Sequence, residues 1–585
     1  MSDANTIGRE PVTIVEIDQD SCPLTYGVAP CEAALGVTGD AKCFNTRASC
    51  QDPDNYQRDF LTLRFCTPAG NLPRDIILFP SIVSITSMPT EINLGGDQSS
   101  SPLGTRASVT ITIIDHPYHD RVVDRYWSER DYDAMERGTF WTKWLARNPF
   151  YQGRALRVRD GYIGQSLGDM VVRHYIIERI EGPTSGSIQI VAKDPIKLLE
   201  FARSQAPRPG RGTLSAILGA GDTALTLLPA GVGSEYSAAG NARIGSELVS
   251  YIRSNDQITL TGRGLRTTDA SEHKIGDTFQ EVLVFSRERV DLVLRSLLVD
   301  FAGMNSDFII DAEWAVEGSL WSSALTVSAW ITKPEGVAKL VGEILQQTLC
   351  FIWWDVLAQR VRFKALRPRL APIDPEPTDV NDVGHIVAGS VSVKDKPDER
   401  ISQVWIYYDQ IDPTGSDNDP SNFARLRVRF DGEAESEFEY NERRIDEIFA
   451  RWLGEGNDAS ALALSVRKLQ RYRDTPKVFN FSLDAKDASI KPSDLVQFSH
   501  YEQVGIDGLP RSRVLQITSA DPVEPGHRTD LSGRPHDFFA DRYAFVVATG
   551  SPVYSLASEP QKFFGAWIAP DENGFANGDP PYRII

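Results

Sequence analysis

Cysteine is scarce in this chain: six residues out of 585, four of them between positions 22 and 50. A basic surplus is also missing. The 61 Lys and Arg stand against 80 Asp and Glu, a net charge of −19. A protein that grips DNA needs the reverse balance, because phosphate neutralisation supplies its affinity. Stable nucleic-acid binding is therefore not expected, although like charge lets a polyanion slide past without sticking. No run of about 18 apolar residues occurs, so no membrane span is expected. The opening MSDANTIGREPVTIVEID has no basic segment followed by an apolar one, so no secretory signal is expected either. Thiols of a protein made in a cytosol stay reduced, which weakens a disulfide reading of the cysteines. Gly-x-Ser-x-Gly, a Walker loop and His-Glu-x-x-His are all missing, and no carboxylates fall in a catalytic frame, so no motif supports an enzyme.

What is present is ordinary globular composition, 41% hydrophobic and 24% charged, in a chain long enough for roughly four domains of about 150 residues. Strand patterns dominate. Residues 13–18, 60–66, 75–86 and 106–115 alternate or run apolar with β-branched residues, and 137–164, 170–182 and 187–194 read as further antiparallel strands. A Pro/Gly/Arg linker at 204–212 precedes a turn-rich all-β stretch that ends near Phe285. Helical periodicity appears at 286–303, at 332–349 behind a Thr332/Glu335 capping box, at 436–454 and at 458–474. The fold class is mainly β with α+β parts.

The thiols are spaced Cys22-x8-Cys31-x11-Cys43-x6-Cys50. No Cys-x2-Cys knuckle is present, so the spacing matches neither common zinc sites nor bacterial ferredoxins. Free thiols, disulfides, zinc and an iron–sulfur cluster all stay open on spacing alone. Four soft ligands among Gly27, Gly36 and Gly39 suit a loop that wraps a metal group better than one that packs its own core. Cys66, in a strand, and Cys350, at a helix end, read as small buried hydrophobes. The two histidines of DHPYHD, residues 115–120, fit a strand-ending turn better than a metal site.

The stretch CPLTYGVAPCEAALGVTGDAKCFNTRASCQDPDNY resembles the N-terminal signature of tail hub proteins from siphophages and gene transfer agents. The family pattern falls on Cys22, Tyr26, Gly27, Pro30, Cys31, Cys43 to Arg47, and Cys50 to Asp52. The blocks at 115–164 and 173–208 look like the same family's next segments, so the resemblance covers residues 22 to about 208; beyond that it is one of layout. It implies a non-enzymatic homotrimer with two related β-barrel domains per chain. Such a ring joins the sixfold tail tube and distal tail protein to a threefold central fibre or tip. Tape measure protein and DNA pass transiently through its lumen. It further implies a virion tail component made in the bacterial host cytoplasm, with a [4Fe–4S] iron–sulfur cluster on Cys22, Cys31, Cys43 and Cys50 in a structural role. The expected division is a cysteine-rich loop region at 1–58, a first barrel at 59–208, and an inserted small β domain at 209–285. An α+β unit at 286–376, a second barrel/α+β unit at 377–515 and a C-terminal segment at 516–585 follow. Two other readings make different demands. A tail-associated cell-wall hydrolase needs paired carboxylates or a His-rich zinc cleft, and a cytosolic iron–sulfur enzyme needs a substrate pocket beside its cluster.

Overall fold

The computed structural model describes residues 10–69, 76–94, 101–130, 136–322, 326–369, 374–484, 489–505, 507–524 and 528–536. Beyond these it describes four isolated residues and one short hairpin. The chain is mainly β, as its alternating segments predict, and among the described residues five α-helices are set between the sheets.

The first sheet has seven antiparallel strands: β1 (Pro11–Ser21), β2 (Asp59–Cys66), β3 (Ile82–Met88), β4 (Ser108–Ile114), β5 (Ala155–Tyr162), β6 (Val171–Thr184) and β7 (Ser187–Lys193), in the order β2-β1-β5-β6-β7-β4-β3. The two edges meet through Phe79. Its N–H donates to the Arg64 carbonyl and its carbonyl accepts from the Cys66 N–H, each at 2.9 Å, which closes the sheet into a barrel. Alternation sets the interior: Val109, Ile111 and Ile113 of β4 point inward with Val15, Ile17, Leu156 and Val158. Helix α1 (Phe140–Arg147) adds Phe140, Trp141 and Trp144 to that core. Its segment is not the strand its aromatics suggest. Phe140, Trp141 and Trp144 are spaced to share one helical face, and the Thr142 hydroxyl accepts the Thr139 N–H to start the turn. Outside, Glu16, Asp18 and Asp20 of β1 pair with Arg64, Arg157, Arg154 and Arg58. β1 contains the strand expected at 13–18 and pairs with β2 and β5 inside the barrel sheet, although the expected division sets residues 1–58 apart as a loop region.

β8 (Gln205–Ala206) leads to a second closed unit. It contains β9 (Thr213–Leu214), β10 (Ala224–Leu228), β11 (Ala239–Ile244), β12 (Glu247–Ser254), β13 (Gln257–Gly262) and the first half of β14 (Phe279–Arg289). The Leu214 N–H to Asp277 and Phe279 N–H to Gly212 bonds join its first and last strands. Glu247, with no exposed surface, holds this unit's last turn. Its carboxylate accepts from Arg263 (2.8 and 2.7 Å), from the Gly264 and Ser271 N–H groups (each 3.1 Å), and contacts His273 Nε2 at 2.8 Å.

β14 runs on to pair with β15 (Thr326–Ile331), carrying the chain into an α+β layer. Helix α2 (Val290–Ser296) widens to a π turn at Leu297–Phe301 and packs with α3 (Asp311–Ser322) and α4 (Val337–Thr348). The strands of this layer are β16 (Glu335–Gly336), paired with β8, and the hairpin β17 (Cys350–Asp355)–β18 (Arg360–Ala365). The expected capping box is not formed. Glu335 lies in β16 and pairs with Arg451, Thr332 donates to the Pro413 carbonyl, and α4 begins after Gly336.

β19 (Thr378–Asn381), β20 (Ser392–Asp395), β24 (Lys477–Asp484), β25 (Leu495–Ser499), β26 (Arg513–Glu524) and β27 (Arg528–Pro535) form a six-stranded sheet curled over its own core. Between β20 and β24 the chain makes a three-stranded sheet, β21 (Gln403–Gln410), β22 (Phe423–Phe430) and β23 (Ile445–Ala450), backed by α5 (Asp458–Tyr472). The helix expected at 436–454 is instead a turn and β23. Asp446, Ile448 and Ala450 are buried alternately, and parallel pairing with β21 overrides the helical spacing. The first barrel and the six-stranded sheet are tied directly. Glu91 bridges Ser519 and Ile92 N–H donates to the Thr518 carbonyl at 2.9 Å, while the Tyr472 hydroxyl, at the end of α5, donates to the Leu94 carbonyl at 2.7 Å. Most of the C-terminal segment beyond 536 lies outside the described residues; there β28 (Ala566–Ile568) pairs with β29 (Tyr582–Ile584).

Candidate metal centre

The connection from β1 to β2 spans residues 22–58, far longer than a hairpin needs. Apart from the short 3-10 turn Arg47–Ser49 it has no regular element. Its apolar core is small: Tyr26 and Ala33 packed with Tyr126, Cys31 and Cys43. Val28, Leu35 and Val37 face solvent. Packing alone gives such a loop little reason to hold one conformation.

The loop brings Cys22, Cys31, Cys43 and Cys50 to the wall of a single pocket, with about 360 Å³ of empty space counted to its open side. All six cysteines are free thiols. Cys66 and Cys350 lie elsewhere, Cys66 against Val12, Ile14 and Met170 and Cys350 in the α+β core. Two of the pocket thiols, Cys43 and Cys50, are shifted by their surroundings. Burial pushes Cys43 up, the Asn45 backbone N–H partly offsets this, and Cys50, Cys31 and Cys22 push it further. Burial likewise raises Cys50, with the Asp52 N–H (3.4 Å from its sulfur) opposing and Cys22 and Cys31 adding to the rise. Two of the sulfurs thus face the N–H two residues onward, a turn that stabilises a thiolate. A cation held between these sulfurs would favour their thiolate forms.

Each motif residue around the thiols has a physical task. Asn45, at φ 58°, accepts the Cys22 N–H on its carbonyl (2.6 Å) and returns its amide to the Cys22 carbonyl (3.2 Å). Gln51 accepts from the Tyr26 hydroxyl (2.7 Å) and donates to the Ala41 carbonyl (2.7 Å); a Cβ on Gly39 would stand 2.5 Å from its side chain. Asp52 accepts the Glu32 N–H at 2.7 Å, tying the Cys50 end to the Cys31 end. Arg47 donates to the Pro53 carbonyl at 2.5 Å and lies 5.3 Å over the Tyr56 ring. Burial raises the Tyr56 phenol to about 12.

The segment between β4 and α1 grips this loop from the barrel side. Arg130 donates to the Lys42 (3.0 Å) and Cys43 (2.9 Å) carbonyls and pairs with the fully buried Asp124. Arg147, held by Asp120 at 2.8 Å, joins Arg130 on the Phe44 ring, each guanidinium 3.8 Å from its centroid. Arg125 donates to the Pro23 and Leu24 carbonyls, and the Tyr126 hydroxyl accepts the Tyr26 N–H at 2.8 Å. The sequence offered no spacing signal for these contacts, which span about a hundred residues. The DHPYHD turn is structural. Asp115 accepts the His116 and Trp141 N–H groups, Asp120 holds Lys143 and Arg147, and His116 stacks on Phe140.

Among the described residues no group of three or more His, Cys, Asp or Glu is placed to hold a metal ion. A polynuclear cluster asks for a wider arrangement, each thiolate on a different iron. The four cysteines share one pocket wall, and backbone N–H groups face two of their sulfurs, Cys43 and Cys50, as a thiolate-bound group of that kind would require.

No protein-family model matches the sequence, and no curated protein matches it. Solved structures of similar chain layout include the tail protein from Neisseria meningitidis MC58 (10% identity, TM-score 0.36, 77% of this chain and 96% of that one). Another is a prophage tail protein of Listeria monocytogenes EGD-e (10%, 0.32, 82% and 91%). A third is a chain from the virion of a native gene transfer agent particle (10%, 0.29, 58% and 91%). At such values the residues themselves must carry a functional reading.

Proposed function

We propose that the chain is the structural hub of a bacteriophage-like tail, and that Cys22, Cys31, Cys43 and Cys50 hold a [4Fe–4S] cluster that orders its N-terminal loop. One observation carries the reading. Two of the three sequence blocks that resemble tail hubs, 22–56 and 115–164, are built around each other: one lines a four-thiol pocket and the other clamps it to the barrel. The cluster would supply four metal–thiolate bonds across residues 22–50, replacing the apolar core the loop lacks. Asn45, Gln51 and Asp52 position the thiols, and Arg125, Arg130 and Phe44 transmit that order to the barrel.

Two curled sheets per chain, joined at Glu91 and Ser519, suit a ring of three copies that offers six similar faces to a sixfold tube. In this reading the partners are the distal tail protein and tube on one side and the central fibre or tip on the other. Tape measure protein and DNA cross the lumen, whose passage the −19 charge favours. The role is mechanical, in the virion tail. Negative-stain imaging of purified protein tests it. Closed threefold rings are expected. Monomers that release fragments from purified peptidoglycan would overturn the hub reading and favour a tail-associated hydrolase.

A further inference from the structure

Tyr56 closes the cysteine loop where it returns to β2, and it lines the four-thiol pocket. Its hydroxyl is buried and has no hydrogen-bond partner. Nearly every other loop polar group around it is spoken for: Tyr26 by Gln51, Gln51 by Ala41, Asp52 by Glu32 and Asn55. A buried hydroxyl left unpaired is costly, and such groups are rare in folded proteins. The ring is held in place independently of any ligand, because Arg47 lies over it and is itself anchored on the Pro53 carbonyl. The second orphan atom at the pocket, Asn45 Oδ1, is an acceptor, and sulfur offers it nothing. Among the described residues lining the pocket, Tyr56 has the buried side-chain donor that no partner uses.

We infer that the Tyr56 hydroxyl donates a hydrogen bond to a sulfur of the group held by Cys22, Cys31, Cys43 and Cys50. This rests on the cluster reading above. Tyr56 is a positioning and tuning residue, not a ligand. A donor on a cluster sulfur favours the more electron-rich, reduced state, because hydrogen bonds to the sulfurs help set the reduction potential. Removing the donor while keeping the ring lowers that potential; strengthening it raises the potential.

The test is to reconstitute the wild type, Tyr56→Phe and a chain with 3-fluorotyrosine at position 56 anaerobically. Iron content, visible absorbance and midpoint potential are then measured. Equal iron in all three is expected, with the midpoint shifted down in Tyr56→Phe and up with the more acidic fluorophenol. A purely structural tyrosine would not move the potential in opposite directions. Equal midpoints in iron-loaded proteins would overturn the inference and leave the cluster standing. If Tyr56→Phe does not load, the fluorotyrosine chain decides alone, and an unchanged midpoint overturns the inference. A wild type that takes up no iron would overturn the cluster reading, and this inference with it.

Discussion

Arg130 ties the cysteine loop to the barrel, and its removal has a calculable effect. Its side chain is 10% exposed, and its partner Asp124 is completely buried. Replacing Arg130 with Met strands that carboxylate, and breaking a buried pair from one side costs about 3–5 kcal/mol. The Lys42 and Cys43 carbonyls lose their donors in the same step. Because the loop has little apolar core of its own, the loss falls on loop opening rather than on barrel unfolding. At about 1.4 kcal/mol per factor of ten, opening rises roughly a hundred- to a few thousand-fold. Native-state hydrogen exchange reads this at the Cys22 and Tyr26 amides, bonded to the Asn45 carbonyl and the Tyr126 hydroxyl. Those amides should lose protection while Ile111 and Val158 in the barrel keep theirs. Adding Asp124→Asn should recover part of the loss, because the stranded charge is gone. Arg130→Lys should recover less than the native fork, since one ammonium cannot reach both carbonyls and the carboxylate. Unchanged exchange at Cys22 and Tyr26, or a parallel loss in the barrel, would refute the account of the clamp.

The small β unit should be acid-sensitive through Glu247, whose carboxylate is held at about 2 against a usual 4.5, burial opposing and Arg263, His273 and Ser271 prevailing. Its stabilisation is complete above pH 4.5 and is lost as pH falls toward 2, so Glu247→Gln should flatten the acid limb of a thermal-melt series taken between pH 6 and 2. Cys66→Ser should destabilise the barrel by about 1–3 kcal/mol by placing a hydroxyl among Val12, Ile14 and Met170, with iron content unchanged. Cys31→Ser should do the reverse, lowering iron with little effect on the barrel melt. Tyr472→Phe should cost about 1 kcal/mol in denaturant unfolding through loss of its 2.7 Å bond to the Leu94 carbonyl, between the end of α5 and the segment after β3.

The strands were legible where one face is buried, because alternation such as Val109, Ile111 and Ile113 records the pleat directly. Residues 140–147 and 436–454 depart from their sequence patterns for opposite reasons. Three aromatics in a short helix imitate a strand, and a strand whose apolar residues are spaced three and four apart imitates a helix. Glu335 followed Thr332 at capping distance, but a buried partner, Arg451, claimed it. At the site, spacing named the four thiols without saying what they hold. The family resemblance supplied convergence as an expectation, and the fold brings all four to one pocket. Arg130, Arg147 and Tyr126 were beyond reach, since their meaning lies in contacts with backbone and rings a hundred positions away.

The central claim is that four thiols close on one polynuclear iron group. Anaerobic purification, with iron and acid-labile sulfide assayed alongside the visible spectrum, tests it most directly. The account predicts a brown protein with about four irons per chain, and loss of colour when Cys22, Cys31, Cys43 or Cys50 is replaced. A colourless protein with four reactive thiols, or one that takes up a single zinc, would contradict it.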